Sequence, residues 1–350
     1  MMQVSDKAKC CGCTACASSC PKNCITMQYD EEGFLYPVVD KNLCVNCGIC
    51  DQVCPFGHLN DREAVNSSTF MALQNSNQNV RINSTAGGAF SLIAEYIINN
   101  GGIVYAVGYN AEMTVCHEKC DSIRGLNKLC GSKYVQSDLR NIFVDIKSNI
   151  EERLVLFVGT PCQVHGLKAF IGDNKNLYTI DLLCLGVSSP RLFAEWIDYL
   201  NDKYHSQVRH VSFRDKHYGY ATPNVRVFFE NGKSMDQKYD TRVHANLFFR
   251  HYNVRPSCYE CQFREVPRVS DFTIGDFNEI GSINKKMDDD KGTTKVWIHT
   301  GRGKELFRAL ETSAVYYILD ESSSNIIGGP KKQIKIPDKR ENFFTDASKM

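Results

Sequence analysis

Apolar residues recur at helical spacing just past the first quarter of the chain. Phe90, Ile93, Ala94, Ile97 and Ile98 fall on one face, with Ser84 or Thr85 able to cap the start and Gly101 fitting the end. Short unbroken apolar runs follow: "IVYAVGY" at Ile103–Tyr109, "LVLFV" at Leu154–Val158 and "LYTIDLLC" at Leu177–Cys184. Between and after them the spacing predicts helices near Asp138–Ile146, from "GTPCQ" to about Phe170, and over Arg191–Leu200. Strands alternating with helices predict an α/β body with a mixed, largely parallel sheet.

From Val208 the pattern becomes strand-rich: "VRHVSFRD", then "NVRVFFENGKSM" with an Asn231-Gly232 hairpin turn, then "DFTIGDF". A helix is predicted over Asp240–His251, and "KVWIHT", "KELFRAL" and "AVYYILD" read as a strand–helix–strand finish. Before the body, "ITMQYDEEGFLYPVVD" predicts two short strands around an acidic turn, Asp30–Gly33. The polar, Asn/Ser-rich stretch from Asp61 to Asn79 suits a linker or a loose first element. The last twenty residues are charged and read as a solvated tail, with docking by the basic residues of "KKQIKIPDKR" as the alternative. The predicted organisation is a head at 1–60, a linker at 61–80, a first part of the body at 81–205, a second at 206–325 and a tail at 326–350.

Composition adds exclusions. Hydrophobic residues make up 43% and charged residues 23%, as in a globular protein. With 41 basic against 40 acidic residues the net charge is +1, which calls for neither nucleic acid nor an anionic membrane. No apolar run is long enough to span a bilayer, and the N-terminus carries no apolar signal core, so the expected location is the cytoplasm.

The cysteines change the picture most. There are 17, ten of them within the first 54 residues. Cys10-x2-Cys13-x2-Cys16-x3-Cys20-Pro21 is repeated 34 residues later as Cys44-x2-Cys47-x2-Cys50-x3-Cys54-Pro55. This is the run by which bacterial ferredoxins ligate [4Fe–4S] cubanes, the fourth cysteine serving the other cube. Three thiolates on three corners of one small cube require a tight wrap, which Gly12, Ala15 and Gly48 permit. Cys10, Cys13, Cys16 and Cys54 are therefore assigned to one cluster, and Cys44, Cys47, Cys50 and Cys20 to the other. Structural zinc takes two spaced pairs instead. Cys11 and Cys24 are out of register and read as buried small hydrophobes.

Further on, Cys162 and Cys184 lie in loops that leave predicted strands, where α/β sheets hold ligands. "CYEC" adds a chelating pair, Cys258 and Cys261. By spacing alone these four fit a third [4Fe–4S] cluster, a structural zinc or unrelated buried thiols. Gly159 and Thr160, just before Pro161 at a helix start, form either an anion-friendly amide nest or an ordinary tight turn. Cys116, Cys120 and Cys130 read as structural.

The segments "STAGGAFSLIAEYIINNGGIVYAVGY", "GSKYVQSDL", "GTPCQVHGLKAF", "DLLCLGV", "FRDK", "RPSCYECQF" and "DFTIGDF", in this order, resemble the coenzyme F420-reducing hydrogenase/dehydrogenase beta-subunit family, in particular members with a two-cluster ferredoxin head. The resemblance runs from Cys10 to about Ala309. It implies an iron–sulfur flavoprotein oxidoreductase that passes electrons from ferredoxin-type clusters to FAD and on to a deazaflavin or related small-molecule acceptor, in a setting linked to polysaccharide biosynthesis. It also implies that Ser84, Thr85, Gly87, Gly88, Gly131, Ser132, Lys133 and Tyr134 line the flavin, and that Cys162, Cys184, Cys258 and Cys261 hold a third [4Fe–4S] cluster. Within that reading Lys133 and Arg214 neutralise flavin or substrate charge, while Lys216 or Asp276 orients the substrate. A redox donor or acceptor protein is the expected partner. Leu185 stands where the family often has histidine, Asn278 where it often has tryptophan, and Ala86 turns "STSGG" into "STAGG". An electron-transfer subunit without its own substrate is the alternative.

Overall fold

The computed structural model describes residues 4–57, 68–264, 268–319 and 334–347. Strands β1 (Ile25–Tyr29) and β2 (Leu35–Val39) pair antiparallel in the head, as the acidic turn predicts. The body is built on an eight-stranded sheet of β3 (Thr69–Asn75), β4 (Ile103–Tyr109), β5 (Val115–Cys120), β6 (Val155–Gly159), β7 (Leu177–Leu182), β11 (Phe272–Asp276), β12 (Thr294–Ile298) and β13 (Ala314–Ile318). Their order is β13-β3-β12-β11-β7-β6-β4-β5. β4, β6, β7 and β11 run parallel, and antiparallel strands close both flanks. The fold is α/β with a mixed sheet. A separate antiparallel sheet joins β8 (Val208–Asp215), β9 (Asn224–Phe229) and β10 (Ser234–Met235), the last two through the Asn231-Gly232 turn.

Both faces of the large sheet are covered, which explains its unbroken apolar strands. Leu92, Ile93 and Ile97 of helix Ala89–Asn99 and Leu306 and Phe307 of helix Gly301–Arg308 share one core cluster. Phe143 and Ile146 of helix Ile142–Asn149 and Val164 and Leu167 of helix Pro161–Ile171 share another, together with Cys11, Cys13 and Ala15 of the head. The head is thus part of the body's core. Gly166 permits this approach: a Cβ there would lie 2.7 Å from Cys13 Sγ.

Two expectations are corrected. Residues 69–75, inside the expected linker, form β3 between β12 and β13, and Gln78–Ile82 is a short helix. The apolar part of that strand is brief, and the polar residues after it dominate the local composition. Nor is the C-terminal stretch a solvated tail throughout, because Arg340–Ala347 is a helix. Its Arg340 forks onto the Glu32 carboxylate at 2.7 and 2.5 Å, and Phe344 packs with Phe34, Tyr36 and Leu192. Two anchoring residues in a charged segment outweigh its composition. Lys331 and Lys332 of the basic run lie outside the described residues. Among the described residues no helix is long and apolar enough to cross a membrane.

Candidate metal centre

The two cysteine runs adopt the same backbone. Gly12 and its repeat equivalent Asn46 both have left-handed φ, at 67° and 53°, as do Thr14 and Gly48, at 65° and 76°. These turns feed the short helices Ala15–Ser19 and Ile49–Gln52. Each run curls around a cavity. One, of about 380 Å³, is lined by Cys10, Cys13, Cys16 and, from the other run, Cys54. The second, also about 380 Å³, is lined by Cys44, Cys47, Cys50 and the crossing Cys20. The structure therefore brings together both sets that spacing predicts. Cys11 and Cys24 are buried as expected, yet each also reaches a cavity wall. Cys24 Sγ lies 3.2 Å from Cys20 Sγ, so register, not position, separates ligand from neighbour there.

A third cavity, of about 530 Å³, is lined by Cys162, Cys184, Cys258 and Cys261. Cys162 follows β6 and Cys184 follows β7, neighbouring parallel strands, so both cysteines leave the sheet at the same end. The Thr160 hydroxyl sits 3.2 Å from Cys162 Sγ while its backbone N–H donates to Gln163 Oε1. The nest at Gly159 and Thr160 is thus a capped helix start facing the thiols. Cys11 lines this cavity as well and packs in one cluster with Cys13 and Cys162. With Phe56 it forms the wall common to the first and third cavities, a juxtaposition that no sequence spacing encodes.

In each site the four cysteines ring a volume, and four thiols are the donor set that a [4Fe–4S] cube takes. Burial pushes the Cys184 thiol up to about 12, so a bound cation is what would hold it as thiolate.

The residues expected around a flavin fall on joined loops. Ser132 N–H donates to Thr85 Oγ1 at 2.9 Å and the two hydroxyls lie 3.2 Å apart. Gly131, at φ +86°, opens onto free space. Packing engages the others. Ser84 donates to Val80 O. A Cβ on Gly87 would meet Leu73 O at 2.1 Å, and Gly88, at φ +87°, sits against Asn75. Tyr134 stacks on Phe248 at 4.9 Å. Lys133 Nζ donates to the carbonyls of Val107, Leu129 and Cys130, and burial lowers it to about 8. Lys216 Nζ likewise donates to Arg81 O, Ala86 O and Lys291 O, and burial lowers it to about 7. Arg214 pairs with Asp276 at 3.0 Å, whose carboxyl burial raises. Both lysines hold loops through carbonyls, and Lys216 fastens the "STAGG" loop from beneath.

Two segments of the chain match known families. Residues 9–58 match the 4Fe-4S dicluster domain. Residues 152–323 match the C terminus of the coenzyme F420 hydrogenase/dehydrogenase beta subunit. A subunit of the F(420)H(2) dehydrogenase of Methanosarcina mazei is 25% identical over 320 residues, covering 85% of this chain and 81% of its own. A chain of the xenon-derivatized F420-reducing [NiFe] hydrogenase complex from Methanosarcina barkeri aligns with TM-score 0.49 and 16% identity, over 80% of this chain and 89% of that chain. The chain thus joins a 4Fe–4S dicluster head, residues 9–58, to a body whose residues 152–323 belong with the C terminus of the coenzyme F420 hydrogenase/dehydrogenase beta subunit, and it is similar along most of its length to a subunit of such a dehydrogenase.

Proposed function

We propose that the chain is an iron–sulfur flavoprotein that relays electrons from an outer head cluster, through an inner one, to a third [4Fe–4S] cluster and a flavin in the body. The observation that carries the reading is the adjacency of the three cysteine-lined cavities: Cys11 lines the inner and the third, and Cys16 of the inner packs in one cluster with Cys20, Cys44 and Cys50 of the outer. Cys10, Cys13, Cys16 and Cys54 would hold the inner cluster, Cys20, Cys44, Cys47 and Cys50 the outer, and Cys162, Cys184, Cys258 and Cys261 the third. Cys47 is exposed, so the outer end is where a donor or acceptor protein meets the chain. The name of the Methanosarcina mazei relative, a dehydrogenase subunit, supports such a protein partner. Gly131, Thr85 and Ser132 would hold FAD, which when bound supplies the junction between one- and two-electron chemistry. The final acceptor is a small molecule, and polysaccharide biosynthesis is the setting implied by the sequence resemblance.

A second reading, an electron-transfer subunit that serves a partner enzyme, is favoured by Leu185, 36% exposed beside Cys184 in place of the family's usual histidine. One experiment separates the two. After anaerobic purification, about twelve irons and one flavin per chain, without zinc, are expected. Eight irons with one zinc would remove the third cluster. Full iron without flavin would remove the flavoprotein and leave the electron-transfer subunit.

A further inference from the structure

Arg255 stands immediately before the helix Pro256–Tyr259, which carries Cys258. It is fully buried, at 0% exposure, in the seam between head and body. Its Nε donates to Cys10 O at 2.8 Å, and its Nη2 donates to Leu35 O at 3.0 Å. Its Nη1 donates to Gln136 Oε1 at 2.8 Å, and Gln136 in turn donates to Cys11 O at 3.1 Å. Nη2 also points at Cys10 Sγ, 3.7 Å away. The guanidinium lies over Tyr36 at 4.1 Å and Phe34 at 5.4 Å. The same side chain lines the third cavity.

Among the described residues, none of these partners is a carboxylate. Arginine does not shed its proton in a protein, and a buried charge is costly unless something answers it. Three other buried arginines here follow that rule: Arg81 pairs with Asp289, Arg268 with Asp181, Arg340 with Glu32. Arg255 has instead the sulfur of Cys10, a residue of the inner cavity, and a place on the wall of the third. Four thiolates around a [4Fe–4S] core carry net negative charge, and reduction adds one more. Net charge and hydrogen bonds to the sulfurs set the potential of such a cluster. The outer cavity has Lys22 on its wall, but that side chain is exposed and screened by water.

We propose that Arg255 is the counter-charge of the inner cluster, raising its potential relative to the outer one and so drawing electrons inward toward the body. The cation stabilises the reduced cluster more than the oxidised one because reduction adds negative charge beside it. Arg255 is a positioning residue in this sense, acting on the potential through Cys10. The proposal rests on clusters in the head and is independent of the flavin, so iron-loaded, flavin-free protein tests it equally well.

The test is an EPR-monitored redox titration of full-length, anaerobically purified protein, with iron quantified first. Arg255→Gln should shift at least one [4Fe–4S] midpoint downward while leaving another in place. Cys47→Ser, which alters the outer cluster's signal, identifies the unmoved one. Arg255→Lys keeps the charge but loses the fork onto Cys10, and should shift the same midpoint downward by less. Arg340→Gln also cuts a head–body clamp, so it should lower stability with every midpoint unchanged. If Arg255→Gln fails to retain iron, the downward shift in Arg255→Lys decides the matter. Unmoved midpoints in the iron-loaded Arg255 variants, or an equal shift of all clusters, would overturn the proposal.

Discussion

The two halves of the head share one spacing and one backbone, yet they occupy opposite environments. The first run is pressed into the body: Cys13 and Cys16 are buried, and Gly12 has no room for a side chain, because a Cβ would meet Gln136 Nε2 at 2.7 Å. The second run faces outward: Cys47 is exposed, a Cβ on Gly48 would meet nothing within 4 Å, and Asn46 stands at the position that Gly12 holds in the first run. Spacing therefore sets which sulfurs share a cube, while the contacts around each copy decide its role. One copy is built into the core and the other is available to a partner.

The widest test of this contrast is removal of a ligand from each copy. Cys13→Ala should lose about four irons and also loosen the head from helix Pro161–Ile171, since Cys13 packs against Gly166. Cys47→Ser should disturb only the outer cluster and leave the thermal transition of the body where it was. Iron content and thermal unfolding of both variants check this. Equal destabilisation by the two would mean that the inner copy is no more integral than the outer.

Next in size is the clamp between the head turn and the C-terminal helix. Arg340 and Glu32 are mostly buried, at 9% and 14% side-chain exposure. Breaking a buried pair costs about 3 kcal/mol or more, and partial exposure reduces this to roughly 2–3 kcal/mol for Arg340→Gln. Denaturant unfolding measures the loss, and iron content should hold.

A contrasting control lies away from the cysteines. His244 is buried against Trp196, 2.9 Å from the Ser188 hydroxyl, and burial lowers it to about 4. Unfolded histidine titrates near 6.5. Between these values the unfolded chain takes up a proton that the folded one does not, so stability is full above about pH 6.5 and falls toward pH 4. From pH 7.5 to 5 this group removes roughly 2 kcal/mol. Trp196 fluorescence during denaturant unfolding reports it, and His244→Gln should flatten that dependence.

These contrasts also mark how far the sequence can be read. Ligand sets in the head are legible because a cube of fixed size imposes a fixed spacing on a short chain. Cys162 and Cys184 are legible as neighbours because consecutive parallel strands deliver their exits to one end of the sheet. Arg255 and Gln136 are not legible: their meaning depends on a contact 245 residues apart, between Arg255 and Cys10. Lys133 and Lys216 read as free cations in sequence because nothing there reveals the three carbonyls that engage each ammonium. β3 is hidden by the polar residues beside it, and the C-terminal helix by its charge.

The smallest effect falls on Cys11, where the comparison of the two copies is sharpest. Its repeat equivalent is Val45, an apolar residue that is 57% exposed. A valine cannot ligate iron, so the second cluster is complete without this position, and by register the first is too. What differs is the neighbourhood: Cys11 is 8% exposed and fills the partition between the inner and the third cavity. Cys11→Ala removes one small buried atom and its contacts with Cys13 and Cys162, at a cost of about 1 kcal/mol. Iron content should match the unsubstituted chain, with stability lowered by that amount. Loss of about four irons would instead make Cys11 a ligand, and the two copies would then differ in chemistry as well as in surroundings.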